Sequence, residues 1–197
     1  MNLFNRKTLK RHIKADPIPS DHLAALEAWA ELISSGRIER LKETALHGQF
    51  ASKIVEGVLG YHGPAGGADY NVSTEQNILR GSVDLALGRF GGKTPDIVAP
   101  FELKGADTRD LDAIMPGRKK SHVQQAWEYA MNARGVKWVL VSIMIELRLY
   151  GFGEGTSAYE EFRLDQLTDP SEYARFMLLL SAENLLSGRT ADLLKED

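Results

Sequence analysis

The stretch Ile97-Val98-Ala99-Pro100-Phe101-Glu102-Leu103-Lys104 constrains this chain more than any other. An apolar run ends there in an acid and a lysine two positions apart. In a β-strand, side chains alternate faces, so Glu102 and Lys104 point one way while Phe101 and Leu103 point the other. A carboxylate and an ammonium side by side at the end of an apolar strand make either a plain ion pair or half of a hydrolytic metal site. The surrounding chain decides between the two.

A second strand lies at Ser82–Leu87, where Val83, Leu85 and Leu87 alternate with Asp84 and Ala86. The turn Arg89-Phe90-Gly91-Gly92-Lys93 joins it to the first, and so short a glycine connection predicts an antiparallel hairpin. A weaker strand signal sits near Tyr70–Ser73, after a glycine-rich loop, His62–Asp69. That loop lacks the Lys-Ser/Thr ending of a phosphate-binding loop and reads as a turn. Beyond Lys104 a polar loop, Gly105–Lys120, leads into a helix over Ser121–Ala133. Val136–Ile143 and Glu146–Phe152 read as strands, and Gly153–Ser157 as a turn.

Helices flank this centre. A basic cluster (Arg6, Lys7, Lys10, Arg11, Lys14) precedes Pro17 and Pro19, which mark an arm or linker. Ser20 or Asp21 is expected to cap a helix running to about Ser34, broken by Gly36. A further helical stretch, Ile38–Leu59, with a possible interruption at Gly48, places Leu46, Phe50, Ile54, Val58 and also Glu43 on one face, with Glu56 projecting away. Ser171, after Pro170, starts a C-terminal helix with Tyr173, Phe176, Leu179 and Leu180 on one side; a last short helix carries Leu185, Leu186, Leu193 and Leu194. The expected architecture is α/β, a mixed sheet in the order α-β-β-β-α-β with extra N- and C-terminal helices. It divides into a basic arm and helix (1–36), a core (37–168) and C-terminal helices (169–197).

Composition narrows the chemistry. With no cysteine among 197 residues, disulfides, thiolate zinc sites and iron–sulfur clusters are excluded, and a cytoplasmic location is expected. No apolar run approaches the ~20 residues of a membrane span. The net charge of −3 carries no global signature of nucleic-acid binding, so any basic footprint must be local. Arg118, Lys119, Lys120 and His122 form one candidate footprint for phosphate contacts.

Aspartate is disfavoured inside strands, and Asp84 stands mid-strand. If its strand pairs with Ile97–Lys104, then Asp84, Glu102 and Lys104 converge. Two carboxylates at one point repel unless a cation neutralises them or one takes up a proton. All-oxygen ligation of that kind suits Mg²⁺ or Mn²⁺. A lysine beside it can hold an attacking water, and together these groups supply what phosphodiester hydrolysis needs.

Asp84 followed by Glu102-Leu103-Lys104 resembles the PD-(D/E)XK nuclease motif. Gln125-Ala126-Trp127-Glu128-Tyr129 on the next helix is similar to the QxxxY signature of its RecB-like branch. PDIVAPFELKGA, QQAWEYA, VKWVLVS and ELRLYGF, in that order, resemble the N-terminal nuclease region of type IIG and type ISP restriction–modification enzymes, over about residues 40 to 195. The resemblance implies a restriction-endonuclease-like core with Asp84 and Glu102 as Mg²⁺ ligands (Mn²⁺ being possible) and the Leu103 carbonyl as a third. It implies that Lys104 positions the water and that Gln125 and Tyr129 line the site as catalytic residues. Glu43 would be the helix acid that some members add to the metal shell. The chain departs from the pattern in one respect: Pro95-Asp96 lies too near Glu102 to supply the first ligand, so Asp84, without a preceding proline, takes that role.

The implied activity is that of a cytoplasmic endodeoxyribonuclease acting on double-stranded DNA. It would be the cleavage module of a longer polypeptide whose methyltransferase and specificity domains lie outside this chain, with dimerisation possible for cleavage. A non-catalytic DNA-binding or assembly module of the same fold, and a stand-alone repair nuclease, are the rival expectations.

Overall fold

The computed structural model describes residues 2–78 and 81–196. Six strands form one mixed sheet, each beside its sequence neighbour: β1 (Val72–Ile78), β2 (Gly81–Arg89), β3 (Asp96–Leu103), β4 (Trp138–Ser142), β5 (Glu146–Gly151) and β6 (Tyr159–Arg163). Every pair is antiparallel except β3–β4. A parallel pair needs a crossover, and α4 (His122–Asn132) supplies it.

Helices cover both faces. Trp138 and Leu140 of β4 pack into one core cluster and Val139 and Val141 into another, which is why this strand reads as an unbroken apolar run. The larger core receives α2 (Ser20–Ser34), α3 (Glu43–Phe50) and the C-terminal helices α5 (Pro170–Leu180), α6 (Ala182–Ser187) and α7 (Arg189–Lys195). Phe101 of β3 meets Phe50 of α3 edge to face at 5.8 Å, and Phe50 meets Trp29 of α2 at 5.6 Å. These contacts seat α3 beside the acidic end of β3. On the opposite face, Val123, Ala126 and Ala130 of α4 pack against Val139 and Val141. Among the described residues no helix is long and apolar enough to cross a membrane.

Several local expectations change. The basic N-terminal cluster is no simple arm: Arg6–His12 forms helix α1, capped by the Asn5 side chain, with Leu9 buried in the main core. Arg6 pairs with Glu160, and Arg11 and His12 pair with Glu196, acids so distant in sequence that no local pattern shows them. Pro19 occupies the cap position of α2, so neither Ser20 nor Asp21 caps it. Helix α3 runs through Gly48 and widens into a π segment, Ala51–Glu56, with Gly57 N–H donating to Ser52 O five residues back. Leu46, Phe50, Ile54 and Val58 are all buried along it, as their spacing predicts.

The first strand is longer and later than its signal, since the polar residues of Val72–Ile78 face solvent on an edge and show no apolar alternation. Tyr159–Arg163 (YEEFR) was not expected to be a strand at all; as the opposite edge it needs few apolar residues. The last helix is two, because Gly188 at φ 95° turns the chain between α6 and α7.

Candidate active site

Glu102 and Lys104 stand where β3 ends. The predicted same-face geometry holds: Lys104 Nζ lies 2.7 Å from Glu102 Oε1. Glu102 is only 2% exposed and Lys104 17%. Asp84 joins them because β2 and β3 are antiparallel, with rungs up to Leu85–Phe101. Beyond that rung a side chain replaces the ladder, and Leu103 N–H donates to Asp84 Oδ2 at 2.8 Å. Lys104 Nζ is 3.8 Å from the same oxygen. Asp84 is 29% exposed, so the acid pair faces solvent on the aspartate's side.

The backbone is irregular at this point. Rungs between β1 and β2 run to Thr74–Leu85 and resume at Gln76–Val83, and Glu75 between them has a positive φ of 50°. Strict alternation fails with it. Val83 packs with Ile78, Ala86, Phe90 and Ile97, while Leu85 and Leu87 enter the main core. A non-glycine residue in the left-handed region is uncommon and costs about 1–3 kcal/mol, a strain that clusters at functional sites.

Helix α4 supplies the wall. Its N-terminus is set by a capping box between Ser121 and Gln124. One turn on, Gln125 Nε2 donates to Glu102 Oε1 at 2.7 Å and to Tyr129 Oη at 3.1 Å. Arg118 Nη1 donates to Gln125 Oε1 at 3.0 Å, which fixes the amide's orientation. The glutamine thus ties the basic loop to the buried acid. Gly81 leaves room for the tyrosine, since a Cβ there would come within 2.9 Å of Tyr129 Cε1.

The electrostatics are unbalanced. Burial first, then Asp84 and Glu43, raise the Glu102 carboxyl to about 7 against the opposing pull of Lys104. Burial works against the charge on Lys104 as well, but the three carboxylates outweigh it and raise its proton affinity. Both shifts run upward because the carboxylate lies deeper than the ammonium, so desolvation falls mainly on the acid. One lysine does not offset the negative charge collected here.

The other expected residues have distinct placements. Glu43 opens α3 half-exposed and next to Gly105, where a Cβ would stand 3.7 Å from Glu43 Cβ, so this acid borders the site from the side. Glu56 is exposed on the π segment, away from these acids. Lys120 is paired with Glu128. Lys119 is exposed. His122 is partly buried, and burial followed by the charges of Lys104 and Arg118 lowers its proton affinity, so at neutral pH it brings no cation to the loop. Asp96 is paired with Arg89 at 3.2 Å at the far end of β3, outside the cluster.

His47, which its sequence context marks as an ordinary helix residue, belongs with the site. Its Nδ1 is 3.9 Å from Asp84 Oδ1 and its Nε2 3.4 Å from Glu43 Oε1, the latter outside hydrogen-bond geometry. Burial lowers its proton affinity against the pull of both acids. The available signal was its position four residues after Glu43, which puts both on one helix face.

The donor set fits a hard divalent cation. Asp84 and Glu102 offer carboxylate oxygens around a single lysine, and Mg²⁺ binds through one or two carboxylates plus waters. Among the described residues no group of three or more acids and histidines is already arranged around a cation position. Comparison of the chain with protein-family models, with curated proteins and with solved structures returns no match.

Proposed function

We propose that this chain is a Mg²⁺-dependent DNA endonuclease domain with a restriction-endonuclease-like core, of the PD-(D/E)XK kind. The observation that carries the reading is Glu102. It is a buried carboxylate facing a second one, short of compensating charge and oriented by Gln125 on a separate helix. A purely structural acid in that position would be expected to have its charge matched. The order of elements supports the reading too: three antiparallel strands, a crossover helix and a parallel fourth strand follow a helix that borders the acids.

In this reading Asp84 and Glu102, with the Leu103 carbonyl, hold the metal, and Glu43 stands by at the rim. A bound Mg²⁺ would supply positive charge to a phosphodiester and lower the pKa of water. Lys104 orients the attacking water or a phosphate oxygen. Gln125 keeps Glu102 in place and Tyr129 keeps Gln125 in place. Arg118 and Lys119, with Lys120 once released from Glu128, hold the DNA backbone through contacts that position without reading sequence. Sequence choice would come from recognition and methyltransferase domains elsewhere in a longer restriction–modification polypeptide.

The test is cleavage of supercoiled DNA with Mg²⁺ or Mn²⁺, alongside Mn²⁺ calorimetry. Asp84→Ala and Lys104→Ala should abolish nicking while circular dichroism is unchanged, and Asp84→Ala should also lose Mn²⁺ binding. Full Mg²⁺-dependent cutting by Asp84→Ala sinks the assignment.

A further inference from the structure

The loop between β3 and α4 presents an apolar tip beside its cations. Ile114 is 69% exposed, the most exposed large apolar side chain among the described residues. It opens the run Ile114-Met115-Pro116, with Arg118 and Lys119 following Gly117 and no acid between Ala113 and Lys120.

The loop is built, not slack. Leu111 is buried among α4 and β4 residues, and Val123 N–H donates to its carbonyl. Asp112 is held at 2.8 Å by Arg148 of β5. Met115 N–H donates to Lys120 O, Arg118 N–H donates to Met115 O, and Gly117 takes the left-handed turn at φ 73°. A tip closed and anchored in this way holds Ile114 out at small entropic cost, although water does not favour an exposed isoleucine. One end of the loop starts next to Lys104, and the other runs into the cap of α4 through Arg118, which bonds Gln125.

Resting on the nuclease reading, we infer that Ile114 is a wedge that enters duplex DNA at a base step next to the cleaved phosphate, while Arg118 and Lys119 hold the backbones on either side. Apolar wedges between cations are a recurrent means of unstacking and kinking a duplex, repaid by the added backbone contact. Charge complementarity selects DNA as the occupant: past Ile114 the tip carries Arg118 and Lys119, and the acid two residues before it, Asp112, is already paired with Arg148, whereas an apolar protein partner would need no cations.

The test uses the full chain with Ca²⁺ in place of Mg²⁺, so that DNA binds without being cut, and a short duplex carrying 2-aminopurine at successive steps. Wild type should raise the fluorescence at one step. Ile114→Ala should lose that signal and weaken binding roughly tenfold with an unchanged salt slope, as expected for burial of a few methylenes. Lys119→Ala should keep the signal and lower the salt slope by about one. If Ile114→Ala binds as tightly as wild type, or no step brightens while wild type binds, the wedge is wrong and the nuclease reading stands. If wild type binds no duplex at low salt and Ca²⁺, both fall.

Discussion

Among the described residues two glutamates are buried, and they are treated in opposite ways. Glu160 on β6 is 0% exposed; its Oε2 lies 3.2 Å from Arg6 and 3.1 Å from Arg175, and its Oε1 accepts from Phe4 N–H. Two guanidiniums and a peptide surround one carboxylate. Glu102 on β3 has one lysine and one amide, with two other acids nearby. The first arrangement joins α1, α5 and β6 into one body. The second leaves a local excess of negative charge that only a proton or an added cation relieves. The two acids share their burial and differ in how their charge is compensated.

This contrast breaks most directly through activity. Asp84→Asn, which keeps an acceptor for Leu103 N–H, should reduce Mg²⁺-dependent nicking by about 10³-fold or more with little change in melting temperature. Glu160→Gln should leave nicking nearly intact but cost about 3–5 kcal/mol in urea denaturation, because it strips two partly buried arginines of their partner. Glu102→Gln at pH 8 should be neutral or stabilising. Equal destabilisation by the two substitutions would end the comparison.

A pH series sharpens it further. In the folded metal-free protein Glu102 holds its proton up to about 7, above the ordinary carboxylate range. The folded state therefore binds more protons than the unfolded one, and the contribution to stability is present at low pH and lost as pH rises through about 7. The loss should reach about 3 kcal/mol between pH 5 and 8, vanish in Glu102→Gln, and be reversed by Mn²⁺ in wild type only. The smallest effect belongs to Gly81→Ala. The added Cβ crowds Tyr129 and should cost about 1 kcal/mol of stability with a several-fold drop in nicking, the latter through the Tyr129–Gln125–Glu102 chain.

Much of the site was legible because it lies on regular elements. Alternation on β3 puts Glu102 and Lys104 side by side, and four-residue spacing puts Gln125 and Tyr129 on one helix face. What escaped lies where regularity fails or where partners are remote. His47 was passed over because nothing local shows that α3 packs against the end of β2. The irregular rung at Glu75 hid the change of side between Val83 and Leu85. The edge strands β1 and β6 carry polar residues on exposed faces, so the apolar pattern that reveals β4 is missing from them. The basic N-terminus read as an arm because Glu160 and Glu196 are brought to it only by the fold.

By itself the sequence determined the α/β class, the apolar strands, the helix stripes and the pairing of an acid with a lysine at the end of β3, since each follows from short-range periodicity. Only the tertiary structure decided how much charge surrounds each acid. Glu102 and Glu160 are each a glutamate in a strand of the folded sheet. The cations and carboxylates that distinguish them come from elements up to 154 residues away, and their energies depend on a burial that exists only once the sheet is covered.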